Sequence, residues 1–154
     1  MRKLESGSDY EEAGRLHLAD ARELLEHPTH EAFHNQAHIR HLRGAMHLAG
    51  YAVECALKSY LVRKHGKSTF DEVIPVVRSS LNVDLRGANL HSLRELWRAA
   101  GFTGVPADVA SSIGQCAAWR VEWRYDPTVG KARQDARQFV RAAELLWDWI
   151  ARQP

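Results

Sequence analysis

The residues best equipped for chemistry gather in a few places along the chain. The first is a run of polar side chains at steps of three and four: Arg43, His47, Tyr51, Glu54 and Lys58. On a helix turning 100° per residue these fall within about 80° of one another, opposite an apolar seam through Leu42, Ala49 and Ala56. A phenol, a carboxylate and an ammonium on one stripe could form the wall of a ligand site. The same spacing suits a solvated face laced with i,i+4 pairs such as Glu54–Lys58, and periodicity alone favours that plainer reading. The second place holds His30, His34, His38 and His41, again on one helical face. Histidines at i and i+4 can chelate a first-row metal, but no carboxylate is interleaved at matching spacing, so a solvated or pH-responsive face is preferred and no metal is expected. The third is Trp119 to Pro127, dense in aromatic and charged residues. Trp119 and Trp123, one helical turn apart, suit a core or a dimer seam. Arg124 and Tyr125 close that segment, where an arginine can fork onto a phosphate or cap the carbonyls of its own helix. His91 stands alone, at the start of a helix, and as a general base it would need an orienting partner that spacing does not identify.

The elements that must position these residues are helices. Ser8-Asp9-Tyr10-Glu11 has the form of a capping box, and the helix it opens ends near His27, before Pro28. A long amphipathic helix is predicted from about His30 to His65, roughly 50 Å if unbroken, with Gly66 as its C-terminal stop. Within it Gly44 and Gly50 suggest close helix contacts. Residues 67–90 read as a loop-rich insertion with one short helix near Phe70 to Val77, because Pro75, Ser79-Ser80 and Arg86-Gly87-Ala88-Asn89 all interrupt it. A third main helix is predicted from Leu90 to Ala100, N-capped by Asn89 and stopped at Gly101. A fourth runs from Pro106 through Trp119 and Trp123 to Tyr125, and a fifth from Thr128 to Arg152. The only strand-like stretch, Val73 to Val77, contains Pro75. Together these define one all-α domain over residues 1–154, an antiparallel up-down bundle of four to five helices around one long central helix.

Composition narrows the function classes. The chain has 154 residues, 45% hydrophobic and 26% charged, enough to bury a core and too apolar for disorder to dominate. A formal net charge of +2 does not announce nucleic acid as a partner. Two distant cysteines, Cys55 and Cys116, make no thiolate zinc site and fit a reducing cytoplasm. No stretch approaches the ~18 apolar residues that a membrane span needs. Glycine-rich phosphate loops, G-x-S-x-G and HExxH are all missing, which favours a binding module over an enzyme and calls for no cofactor.

The ordered motifs resemble a family. The run from Ala45 to Leu61, with Ala52-Val53-Glu54-Cys55-Ala56-Leu57-Lys58 at its centre, is similar to the central helix of HEPN domains (higher eukaryotes and prokaryotes nucleotide-binding). His91-Ser92-Leu93-x-x-Leu96 resembles the element that opens that family's next helix, Trp123-Arg124-Tyr125-Asp126-Pro127 its Arg-Tyr-Pro element, and Ala132 to Ile150 its closing helix. The resemblance spans about residues 42 to 150. It implies a small helical bundle, a homodimer, and work as the auxiliary half of a stress or defence module beside a minimal nucleotidyltransferase. It also implies a nucleotide or phosphate ligand, met by Arg124 and Lys58, with Tyr51 or Tyr125 stacking or hydrogen-bonding, Glu54 orienting the cations and His91 nearby. The alternative that the family offers is a ribonuclease toxin of a toxin–antitoxin pair, built on Arg-x(4–6)-His in a late helix. Here that spacing occurs at Arg22/His27, Arg40/His47 and Arg86/His91, none of it on the late helix, and Arg124 is followed by no histidine.

Overall fold

The computed structural model describes residues 5–26, 36–126, 128–129 and 133–154, with the backbone alone at 36–39 and 133. Among the described residues there are six α-helices and no strand: α1 Gly7–Glu26, α2 Gln36–Lys64, α3 Phe70–Leu81, α4 Leu93–Ala100, α5 Ala107–Cys116 and α6 Arg133–Ala151. Two 3₁₀ turns, Gly87–His91 and Val121–Tyr125, precede α4 and follow α5. The all-α reading therefore holds, with six helices instead of four to five.

The central helix is α2. Residues 52 to 62 are buried without exception, because α1, α3, α4, α6 and the second 3₁₀ turn all pack against it. A helix enclosed on every side has no face left for solvent. Its end is the expected one. Gly66 takes the left-handed conformation (φ 58°), its N–H bonds to the Arg63 carbonyl at 3.0 Å, and the Lys67 N–H bonds to Val62 at 3.1 Å. This is a Schellman cap, which satisfies carbonyls that the helix leaves open.

Several boundaries differ from the sequence reading. The capping box of α1 forms two residues upstream. Asp9 N–H donates to Ser6 Oγ (3.2 Å) while the Asp9 carboxylate accepts from Ser6 N–H (3.1 Å) and Ser6 Oγ (2.8 Å). Residues 67–90 are not mainly loop, since α3 occupies twelve of them, with Pro75 exposed inside the helix and Asn82 closing it at φ 53°. The cap of α4 is Ser92, whose Oγ accepts from the Glu95 N–H, and Gly101 (φ 61°) stops the helix as expected. The largest correction is to the fourth predicted helix. It ends at Cys116, and Trp119 lies beyond it, after a turn in which its N–H bonds back to the Cys116 carbonyl at 2.9 Å.

Tertiary packing explains that break. Trp119 is 2% exposed; its indole fills the space above Gly50, where any Cβ would overlap the ring, and its Nε1–H donates to the His47 carbonyl at 3.2 Å. Continuing α5 as a helix would carry the indole away from this notch. The expected close helix contact is seen at Gly44, against Leu24 of α1, whereas the close neighbour of Gly50 is an indole from outside any helix. On the other side, α6 lays Ala136, Phe139, Val140, Ala143, Leu146 and Ile150 on the core, and Arg22 of α1 pairs with Glu144 across it. Residues 27–35, 127 and 130–132 are not described, nor is the side chain of His38, so the expectations for His27, Pro28, His30, His34, His38 and Pro127 lie outside the described residues.

Candidate functional site

Glu54 lies at the centre of the polar residues. It sits in the stretch of α2 buried on all sides, and its side chain is 2% exposed. A carboxylate so placed must find cations or donors. One oxygen, Oε1, takes two: Lys58 Nζ at 2.6 Å, one helical turn along, and His91 Nδ1 at 2.9 Å, delivered by the 3₁₀ turn before α4. The other oxygen, Oε2, is buried without a hydrogen-bond partner. Lys58 is equally enclosed, at 7% exposure, with its ammonium 5.1 Å from the Phe70 ring centroid and 5.7 Å from that of Tyr10. These two rings, from α3 and α1, offer the negative faces that a desolvated ammonium prefers.

This corrects both readings of the polar stripe. Glu54 and Lys58 are neither a solvated pair nor an open wall, since both side chains are enclosed by the fold. Of the two cations that Glu54 was expected to orient, Lys58 and Arg124, it contacts Lys58, and the contact it makes to His91 gives that histidine the partner that spacing could not supply.

The carboxylate fixes the chemistry of His91. A carboxylate oxygen paired with an ammonium accepts, so Nδ1 must carry the hydrogen between them. The ring's opposite edge, Nε2, belongs to a side chain that is 41% exposed and lines a cleft of about 790 Å³. In the neutral ring that edge is a bare lone pair, able to accept a hydrogen bond or take a proton; protonated, it donates.

Around the N-terminal half of α2 lies an aromatic group. Tyr51 meets His17, His47 and Trp119 with ring centroids 5.3, 5.7 and 5.8 Å away, and His47 stacks on Trp119. Burial lowers the pKa of His47, helped by the nearby charge of Arg124 and by His17. Burial likewise lowers that of His17. Tyr51 is held as a neutral phenol, again first by burial and then by Glu54. Arg124 is close enough to act on His47 and Tyr51 electrostatically, while its guanidinium covers the Tyr125 ring at 4.4 Å. Tyr125 is 69% exposed. The six residues singled out by sequence therefore divide into a buried support (Glu54, Lys58), a half-buried phenol (Tyr51) and three solvent-reachable groups (His91, Arg124, Tyr125).

Other candidates fall away on geometry. Arg86 is engaged by both oxygens of Asp84, at 2.7 and 2.9 Å, and is not paired with His91. His47 is 8% exposed beneath Trp119, which removes it as an accessible partner for Arg40. Burial pushes the thiols of Cys55 and Cys116 up to about 12, so neither is a ready nucleophile. Among the described residues no three His, Cys, Asp or Glu side chains converge as a metal would require, and no helix is long and apolar enough to cross a membrane. The sequence reading missed His17, Arg94 and Arg120. The arginine three residues beyond His91 was a usable signal for Arg94; nothing local marked the other two.

What fold and site define is an all-α domain with a buried carboxylate that positions a cleft histidine. Comparison with family profiles, with curated proteins and with solved structures finds no match to this chain.

Proposed function

We infer that this chain is a HEPN-like binding module that takes a nucleotide or other phosphate-bearing ligand, and that it acts as the auxiliary half of a nucleotidyltransferase-linked stress or defence system, as a dimer in the cytoplasm. The observation that carries the ligand reading is the contact between Glu54 Oε1 and His91 Nδ1, 2.9 Å long. It joins two motifs that are remote in sequence and turns the free edge of the imidazole toward a cleft. Support also comes from Arg124, whose charge is felt at Tyr51 and His47 and whose stacking on the exposed Tyr125 leaves the guanidinium edge available for a phosphate fork. In this arrangement Glu54 and Lys58 do not touch the ligand; they hold His91. Titration calorimetry with ATP, GTP and cyclic nucleotides tests the reading. Binding should be detected, and Arg124→Ala should weaken it about tenfold or more, the loss of one charge-assisted contact. Absence of heat with every nucleotide, together with an Arg124→Ala variant that behaves as the parent, sinks it.

A further inference from the structure

The cleft beside His91 has two walls. One is the turn and first residues of α4, with His91 and Arg94; the other is the segment from Ala117 to Glu122, with Arg120. Both arginines are exposed. The neighbouring Arg98 is already engaged by Glu95 at 2.7 Å and Arg86 by Asp84, whereas neither Arg94 nor Arg120 is held by a carboxylate among the described residues. Glu95 is satisfied by Arg98, so Glu122 is the acid that competes within the cleft. The balance of Arg94 and Arg120 against Glu122 favours an anion.

We propose that this cleft clamps a phosphoryl group between Arg94 and Arg120, and that its binding draws one proton onto His91. The proposal rests on the phosphate reading above and adds its place, its ligating residues and its regulation. Glu54 is a buried acceptor and claims the Nδ1 hydrogen, so a neutral His91 can offer the cleft only the lone pair of Nε2. That lone pair repels a phosphate oxygen. A proton there converts repulsion into a third charge-assisted hydrogen bond, and a bound dianion favours the imidazolium in return. The charged groups that face His91 are Glu54 and Lys58 from α2, Arg94 and Glu95 from α4, and Arg120 and Glu122 from the opposite wall. Lys58 offsets Glu54 and Arg98 offsets Glu95, which leaves the ligand as the charge that changes on binding. Affinity then rises as pH falls.

Calorimetry with inorganic sulfate, whose charge is constant across the neutral range, tests this without a ligand proton to confuse it. Run at one pH in two buffers of different ionisation enthalpy, the intact chain should show net proton uptake on binding sulfate, and inorganic phosphate should bind at the same site. His91→Gln keeps a donor and should bind with no proton uptake. Arg94→Ala and Arg120→Ala should each weaken binding about tenfold. Arg94 and Arg120 lie at the surface and His91 is half-buried against Glu54, so thermal melts of each variant check that it folds. Undiminished uptake in His91→Gln, full affinity in the arginine variants, or no heat with either anion overturns the proposal. If nucleotides bind, Arg124→Ala abolishes that binding and the Arg94 and Arg120 variants leave it intact, the nucleotide reading stands and this cleft is not its site. If the inorganic anions bind with proton uptake while nucleotides give no heat, the cleft stands and the nucleotide reading falls.

Discussion

Two carboxylate–cation pairs in this molecule have the same chemistry in opposite surroundings. Asp84 and Arg86 meet through two well-formed hydrogen bonds, with side chains 47% and 58% exposed. Glu54 and Lys58 share a single contact at 2.6 Å, with side chains 2% and 7% exposed. By geometry the surface pair is the better one. By consequence it is the lesser, because water takes up either charge as soon as the pair parts. In the interior neither charge has that recourse, so each is committed to the other and to His91, Tyr10 and Phe70. Whether a pair supports a site depends on what its members would meet if separated.

The comparison can be broken by mutation. Lys58→Met fills a similar volume but strands the Glu54 charge, and should lower the unfolding free energy by about 3–5 kcal/mol. The double variant Glu54→Leu/Lys58→Met should recover most of that loss, measured by urea denaturation followed by circular dichroism. A penalty below about 1 kcal/mol for Lys58→Met alone would mean that the buried pair behaves like a surface one. Acid titration sharpens the contrast with a smaller effect. His17 and His47 are disfavoured as cations in the fold, so the unfolded chain binds their protons first. Their contribution is complete above the unfolded value of 6.5 and is lost as pH falls from there through the lowered folded values. Melting temperature should decline across that window, and His47→Phe should flatten the decline. Asp84 is held below the usual carboxylate range by Arg86 and should yield only in stronger acid. The smallest effect is expected for Asp84→Asn at neutral pH, where no change in melting temperature should be measurable.

The helical architecture was legible because apolar residues recur at steps of three and four and because Gly66 and Gly101 sit where left-handed caps are needed. The register of the first cap was not. Ser6–Asp9 and Ser8–Glu11 both have the spacing of a box, and only packing of the helix start chooses between them. The run Ala117 to Trp123 contains no helix breaker, so local propensity extends α5 past its real end. The notch at Gly50 and the indole that enters it override that propensity. The polar stripe was legible as a cluster but not as a buried one. An i,i+4 Glu–Lys pair is the usual sign of solvent, and only the apolar residues on every other side of α2, such as Val53, Cys55, Leu57 and Leu61, showed that no side was free. The second wall of the cleft could not be read, since Arg120 becomes a neighbour of His91 and Arg94 only when two distant segments fold together.

The notch at Gly50 has a bearing on how this chain can change over time. A ring from far along the sequence occupies the place of a missing side chain, so neither residue can be exchanged alone without leaving an overlap or a hole. Descendants of this sequence are then expected to alter the two positions together or to keep both, and such paired behaviour would trace the joint even where nothing else in the alignment survives.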